Sequence, residues 1–419
     1  MSAATLPAAP AQGAAMRFIL LTVLIDMLAV GIIVPVLPAM VGQFTADASE
    51  QARWYGVIAA VYALAQFVAA PILGALSDRF GRRPVLLLGF CGLAINFFTT
   101  ALATSIAMLV ASRVIGGAMQ ANAAVANAYV ADITPPADRA KRFGMLGAMF
   151  GIGFILGPVI GGILGGIDLH LPFFAAGVLA LANLAYGWFV LPESLSPAQR
   201  RPVDWWQANP LSSFKKLVAL KGVGLLVGVI GFAGLAQFSL YTVWVLYGSL
   251  RFGWGPSENG WSLFAVGIVS AVVQGGLLGR LLKRFGPKRL AVAGLLSSSL
   301  AFVGWGLATQ PWMMYAVIAA NLLGAAVAAS LQGLVSAAAD EHVQGETMGA
   351  VSSLNSLTAV LAPVLAAPLM ATVSHLPTTD WRIGAPMFFC AGLQGLALVL
   401  AVLHFRRQAR RGTPAVQPV

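Results

Sequence analysis

Hydrophobic positions in this chain of 419 residues fall into long unbroken runs, and short polar clusters separate them. Runs of about 18 residues or more with few charges mark helices that cross the ~30 Å hydrocarbon layer of a bilayer. Twelve such spans are predicted, over 17–41, 54–76, 84–105, 107–131, 142–166, 171–191, 221–247, 257–281, 289–309, 311–338, 346–373 and 382–404. Between the sixth and seventh, polar and turn-forming residues dominate. The expected layout is therefore a cytoplasmic tail (1–16), a six-helix bundle (17–191), a cytoplasmic linker (192–220), a second six-helix bundle (221–405) and a cytoplasmic tail (406–419). Trp205 and Trp206 in the linker suit the headgroup layer. The first run exceeds the apolar core of a typical signal peptide and ends without a clear cleavage site, so it is expected to be retained as a span.

Gly74-Ala-Leu-Ser-Asp78-Arg79-Phe-Gly81-Arg82-Arg83-Pro84 is a polar hinge between two uncharged runs. Its three arginines assign it to the cytoplasmic face, because short basic loops stay inside. With both ends inside, 21 of the 25 Lys and Arg fall on the cytoplasmic side, against Arg53, Arg251 and Arg382 outside and Arg113 within a span. The reversed topology inverts that bias.

The hinge recurs. An offset of 205 residues lays Leu76 to Arg83 over Leu281 to Lys288, Gly74 over Gly279, Gly144 over Gly349 and Pro158 over Pro363. One offset sustained over more than 80 residues reads as a duplication, with both halves in the same orientation.

Composition agrees. Hydrophobic residues make up 59% and charged residues 9% of the chain, with a mean hydropathy of +0.84, where a soluble domain carries roughly 25% charged residues. The net charge of +11 sits in loops without interleaved aromatics, so nucleic acid is not an expected partner. Cys91 and Cys390 both lie in apolar runs and form no disulfide framework.

Three features exceed what membrane packing requires. Asp26 places a carboxylate well inside the first span, at a cost of about 2.5–3.5 kcal/mol; the bland reading is an Asp bonded by neighbouring hydroxyls, the functional one a group that takes up and releases a proton. Arg113, several residues into the fourth span, needs a partner or a wet cavity, or else snorkels outward. Gly153, Gly157 and Gly161 repeat every fourth residue in the fifth span and lay a bare stripe along one helix face, and Pro158 within it makes a bend. Polar side chains within spans supply candidate cavity linings: Gln66, Asn96, Gln120, Asn122, Asn127, Gln237, Tyr241, Trp244, Gln274, Asn321, Gln332 and Asn355, each of which equally serves to bond a neighbouring helix. His170, His342, His375 and His404 are scattered, no nucleophile or metal constellation is visible, and neither an enzyme, a cofactor nor a metal is expected.

The hinge from Gly74 to Pro84 resembles the signature loop of the major facilitator superfamily between its second and third helices. Arg113 with Gly116 and Gly117 resembles its fourth-helix motif, and Gly153 to Gly162 the fifth-helix motif of its drug/proton antiporters. Asp26 to Pro38, Ser77 to Leu88, Thr242 to Leu246 with Arg251 to Trp254, and Leu331 to Gly333 are similar to stretches of the tetracycline efflux proteins. The resemblance implies an all-α membrane fold of 12 helices in two pseudo-symmetric bundles. It implies proton coupling at Asp26 and Arg113, and a conformational switch at Gly74, Asp78, Arg79, Gly81, Arg82, Arg83, Gly157 and Pro158. Of the linings, Gln66, Asn96, Asn122, Gln237, Tyr241, Trp244 and Gln332 are the expected substrate contacts. The sequence departs from tetracycline exporters at Asn96 and Ser298, where they carry acids, and at Ser270, where some carry a His. These departures argue for a neutral, zwitterionic or weakly charged amphiphile over a cationic metal chelate.

The expectation is proton-coupled drug efflux by alternating access, in a monomer of the bacterial inner membrane whose partners are drug, proton and lipid. A proton-coupled transporter of a metabolite and a non-transporting membrane receptor or scaffold stand as alternatives; the fifth-helix motif disfavours an importer, and the shortness of the loops and tails the scaffold.

Overall fold

The computed structural model describes residues 9–120, 122–135, 138–200, 202, 224–338 and 344–410. Most of the expected linker, with Trp205 and Trp206, and much of both tails lie outside the described residues. Among the described residues every regular element is a helix: α1 (Ala9–Ile33), α2 (Leu37–Gly42), α3 (Ala48–Phe80), α4 (Arg82–Ala101), α5 (Ile106–Gln120), α6 (Asn122–Ile133), α7 (Arg139–Ile167), α8 (Leu171–Val190), α9 (Gly224–Phe252), α10 (Pro256–Val272), α11 (Leu278–Leu307), α12 (Pro311–Ala320), α13 (Val327–Ala338), α14 (Gln344–Val373) and α15 (Ala385–Arg410), with short 3-10 and π turns between some of them. Nine helical stretches among the described residues are long and apolar enough to cross a bilayer, ten when the bent pair 311–336 is included. One of the nine, 256–307, has 52 residues, and at 1.5 Å per residue it is long enough for two crossings; Gly286 breaks it. With α5 and α6 flanking position 121, the protein is an all-α membrane protein consistent with twelve crossings.

The boundaries depart from the expected ones for local reasons. The span expected at 17–41 stops at Ile33 and resumes as α2, because Pro35 and Pro38 lack the N–H that a continuous helix needs and Pro35 disfavours helical geometry at Val34. The tenth span bends by 52° between α12 and the turn Gly324–Ala326. The largest difference is at the hinge. Gly74 to Phe80 is helical, Ser77 Oγ donating back to the Gly74 carbonyl at 2.7 Å, and the reversal is confined to Gly81, whose φ of +104° only glycine adopts without strain.

The duplication is visible element by element. Gly286 matches Gly81 at the 205-residue offset and also has positive φ, at +73°. Helix α5 starts at Ile106 and α12 at Pro311; α6 ends at Ile133 and α13 at Ala338; α7 starts at Arg139 and α14 at Gln344. Even side-chain contacts repeat, with Arg79 over the Phe80 ring at 5.1 Å and Arg284 over the Phe285 ring at 5.5 Å. The offset fails after α14, since eleven residues, 374–384, precede α15 where three, 168–170, precede α8.

Backbone contacts divide the chain into two compact units. One comprises Met1–Phe44, Val61–Asn209 and Gly255–Phe264; the other comprises Thr45–Ala60, Pro210–Trp254 and Ala265–Val419. In the first, α1 packs on α7 and α8, and α4 on α5 and α8, around a core of Phe18, Ile19, Leu86, Phe90, Val125 and Tyr129. In the second, α9 packs on α14 and α15, and α11 on α15, around Val229, Leu295, Leu331 and Ala397. Large apolar side chains such as Val178, Leu300 and Val364 stay exposed, as side chains facing hydrocarbon do, since lipid tails are as apolar as leucine.

Candidate functional site

In the first unit Asp26 projects from α1 and is buried, at 9% exposure. Gln120, the last residue of α5, donates Nε2 to its Oδ2 at 3.3 Å. Arg113, two turns earlier on α5, is buried too; its Nη2 donates to Thr100 Oγ1 at 2.8 Å, and Thr100 Oγ1 also lies 2.7 Å from the Asn96 carbonyl and 3.0 Å from Ser112 Oγ. The Arg113 guanidinium stands 5.9 Å from the centre of the Tyr62 ring, and Tyr62 is within electrostatic reach of Arg113 and Asp26 alike. The acid and the base thus sit in one unit and bond to different partners. Gly116 and Gly117 let this helix come close: a Cβ at Gly116 would stand 2.6 Å from Asn96 Oδ1, and one at Gly117 would overlap the Tyr62 carbonyl.

The glycine stripe of α7 faces α1. A Cβ on Gly153 would lie 2.6 Å from Met27 Cβ, one on Gly157 2.7 Å from the Gly31 Cα, and one on Gly161 would overlap the Ile32 carbonyl. Backbones of α1 and α7 therefore touch along the helix that carries Asp26. Gly162 faces another way, and Pro158 meets both neighbours, its Cδ standing 3.1 Å from where a Cβ on Gly31 would lie. Within the same unit, a Cβ on Gly260 of α10 would overlap the Pro158 carbonyl and stand 3.1 Å from the Gly162 Cα, and Ser257 Oγ donates to the Gly162 carbonyl at 3.1 Å. The second unit repeats this seam: a Cβ on Gly56 would overlap Ala367 and stand 3.3 Å from the Pro363 carbonyl.

At the hinge, Arg82 is the hub. Its Nη1 pairs with Asp78 Oδ1 at 2.6 Å and donates to Ser77 Oγ at 2.6 Å, its Nε donates to Asp132 Oδ2 at 3.0 Å, and its backbone N–H donates to Glu193 Oε1 at 2.8 Å. Ser194 Oγ adds a bond to Asp132 at 3.1 Å. Arg79 is exposed over Phe80, and Gly74 is open on its Cβ side. A Cβ on Gly81 would overlap the Glu193 carboxylate, which must shift to admit a side chain there. Arg83 Nη2 donates to the Trp188 carbonyl at 2.7 Å.

The expected substrate contacts are spread over both units. Asn96 is buried against Gly116. Asn122 is buried as well, its Nδ2 donating to the Leu86 carbonyl at 3.0 Å. Gln66 is half-buried on α3. In the second unit the Gln237 side chain bonds the Tyr241 hydroxyl, and Tyr241 is exposed. Trp244 is buried edge-on to Trp305 at 5.0 Å, and Gln332 is exposed on α13. Ser298 is buried beside Gly324, and Ser270 is half-buried. Among the described residues no three His, Cys, Asp or Glu side chains group to hold a metal.

Sequence reasoning missed Asp132, Glu193, Thr100 and Tyr62, and it counted Gln120 only as one polar side chain among twelve. Asp132 and Glu193 stand at span ends, where acids raise no alarm. Asp132 lies 50 residues from Arg82 and Gln120 lies 94 from Asp26, so no local spacing announces either pair.

The sequence profile of the Major Facilitator Superfamily matches the chain over residues 19–363 and again over 230–417. The chain belongs to the Major Facilitator Superfamily. It is 38% identical over 375 residues to the tetracycline resistance protein, class C, of Escherichia coli, covering 89% of this chain and 94% of that protein. The fold is shared with a bacterial homolog of the human lysosomal transporter Spinster in an inward-facing, unoccupied conformation (TM-score 0.78, 16% identity, 97% of this chain and 100% of that one). It is also shared with the human organic anion transporter MFSD10 (TETRAN; TM-score 0.67, 24% identity, 93% and 99%). As a facilitator-superfamily member the chain is a multi-pass membrane transporter of small molecules.

Proposed function

We propose that this transporter exports small amphiphilic drugs, tetracyclines or a broader set, across a bacterial inner membrane in exchange for protons by alternating access. The observation that carries the reading is Asp26: a buried carboxylate held by the neutral amide of Gln120, on the helix that the α7 glycine stripe clasps. A neutral partner lets the carboxyl bind and release a proton, where a tight ion pair would keep it ionised. Similarity to a tetracycline resistance protein along most of the chain supports export of a drug.

Protonation of Asp26 favours one orientation and its release to the cytoplasm resets the other, provided the two orientations hold the proton with different affinity. Arg113 supplies the fixed positive charge nearby. The hinge network around Arg82 holds one orientation until the proton moves. Inward movement of one H⁺ releases about 1.4 kcal/mol per pH unit and about 2.3 kcal/mol per 100 mV. One unit and 100 mV together sustain roughly a 500-fold gradient of a neutral cargo at one proton each. Asn96 in the first unit and Ser298 in the second, in place of acids, leave the chain with fewer negative charges than a carrier of cationic chelates needs, which favours a neutral or zwitterionic cargo.

The test is accumulation and growth of an expressing strain across tetracyclines, phenicols, quinolones and dyes, with and without an uncoupler. Lowered accumulation of at least one compound, restored by the uncoupler, is expected. Unchanged accumulation of every compound removes drug export, and efflux that survives the uncoupler removes the proton.

A further inference from the structure

A groove of about 810 Å³ opens on the outer face of the first unit between α4 and α8, apart from Asp26 and Arg113. Leu87, Leu88, Cys91, Leu181 and Leu184 line its length. At one end stand Arg83, from the start of α4, and the exposed Trp188 and Phe189, from the end of α8. From Arg83 to Cys91 the groove follows α4 for eight residues, about 12 Å at helical rise, close to the depth of one leaflet of a ~30 Å core. Both helices are apolar enough to span the bilayer, so the groove faces hydrocarbon along its length and the headgroup layer at its aromatic end, where Trp anchors.

Charge at that end is unevenly matched. Arg82 is paired with Asp78 and Asp132. Glu193 accepts the backbone N–H groups of Arg82, Arg83, Ser194 and Leu195. Arg83, by contrast, makes one side-chain hydrogen bond among the described residues, to a neutral carbonyl, and its Nε is shielded from solvent without an acceptor among them. A guanidinium with spare donors at the mouth of an apolar slot suits a phosphate ester that carries a fatty chain, and basic pockets between membrane helices take up anionic headgroups in this way.

We propose that the α4–α8 groove is a binding site for an anionic phospholipid, with one acyl chain lying along Leu88, Cys91 and Leu184 and the phosphodiester held by Arg83. The site is independent of which cargo is carried.

The purified full chain is reconstituted into vesicles of phosphatidylethanolamine doped with brominated phosphatidylglycerol or, separately, brominated phosphatidylethanolamine, and quenching assigned to Trp188 is obtained by subtracting the Trp188→Phe variant. Half-quenching is expected at about a tenfold lower mole fraction of brominated phosphatidylglycerol than of brominated phosphatidylethanolamine. That preference is expected to vanish in Arg83→Gln and, with Arg83 intact, in Leu88→Trp, which fills the slot. Equal quenching by the two lipids, or a preference that survives either substitution, overturns the proposal. Cross-linking at Cys91, whose thiol is exposed while that of Cys390 is buried, tests the other occupant: capture of a second copy of the chain through Cys91 makes the groove a subunit contact and overturns the lipid site.

Discussion

Gln120 donates its side-chain amide to the Asp26 carboxylate across 3.3 Å, joining the end of α5 to the middle of α1, and its own Oε1 is buried without a partner among the described residues. One amide thus offers a donor to an ionised carboxylate and an acceptor to a protonated one. If Asp26 carries the proton, Gln120 positions it in both states.

Replacing Gln120 by Leu is therefore expected to displace the pH of half-maximal transport by about one unit, the margin by which a hydrogen bond to a charged group exceeds one to a neutral group. Substrate affinity should stay within about twofold, because cargo is not what the amide holds. Transport in everted vesicles at stepped pH, alongside equilibrium binding, separates the two. An unmoved pH profile would show that the contact is structural only.

Asp132 shares Arg82 with Asp78. Asp132→Asn and Asp78→Asn are each expected to slow turnover by roughly tenfold, a loss of about 1.4 kcal/mol of a charge-assisted contact. The range of compounds bound should not change. Binding and turnover measured on the same preparations decide this, and an altered compound range would place Asp132 elsewhere in the mechanism.

Hydropathy made the spans legible because hydrocarbon demands long apolar helices, and the offset that pairs Gly81 with Gly286 and Pro158 with Pro363 carried the duplication into individual turns. Pro35 and Pro38 even mark in sequence where the first span breaks. Polarity misled at the hinge, because Gly74 to Phe80 is polar enough to leave the membrane yet contains nothing that stops a helix. The site was legible as single residues and not as pairs. Asp26 and Arg113 are conspicuous for their cost in hydrocarbon, whereas Gln120, Thr100 and Asp132 gain meaning only from helix packing, with Gly116 and Gly117 bringing α5 against its neighbours.

The α1–α7 seam makes a sharp stability prediction. In Gly157→Ala the new methyl meets backbone at Gly31, which has no side chain to move aside, so a loss of about 1–3 kcal/mol is expected. Gly151→Ala, one turn and a half away with open space at its Cβ, should be neutral or gain up to about 1 kcal/mol of helix propensity. Thermal unfolding of the detergent-solubilised chains reports both; equal behaviour would mean the stripe is not packed.

The two hinge glycines should differ despite their shared backbone. Both take positive φ, which costs alanine about 1–2 kcal/mol. Only at Gly81 does a Cβ also strike a neighbour, Glu193. Gly81→Ala is accordingly expected to lower the midpoint of unfolding more than Gly286→Ala, and the reverse order would contradict the described hinge.

Proton movement during substrate exchange, followed with a pH-sensitive dye inside proteoliposomes, tests the role of Asp26 most directly. Adding transported drug to liposomes containing the native chain should release a pulse of protons in the opposite direction to the drug. In Asp26→Asn the pulse should vanish while drug binding persists. A pulse of native size in the variant would contradict the account.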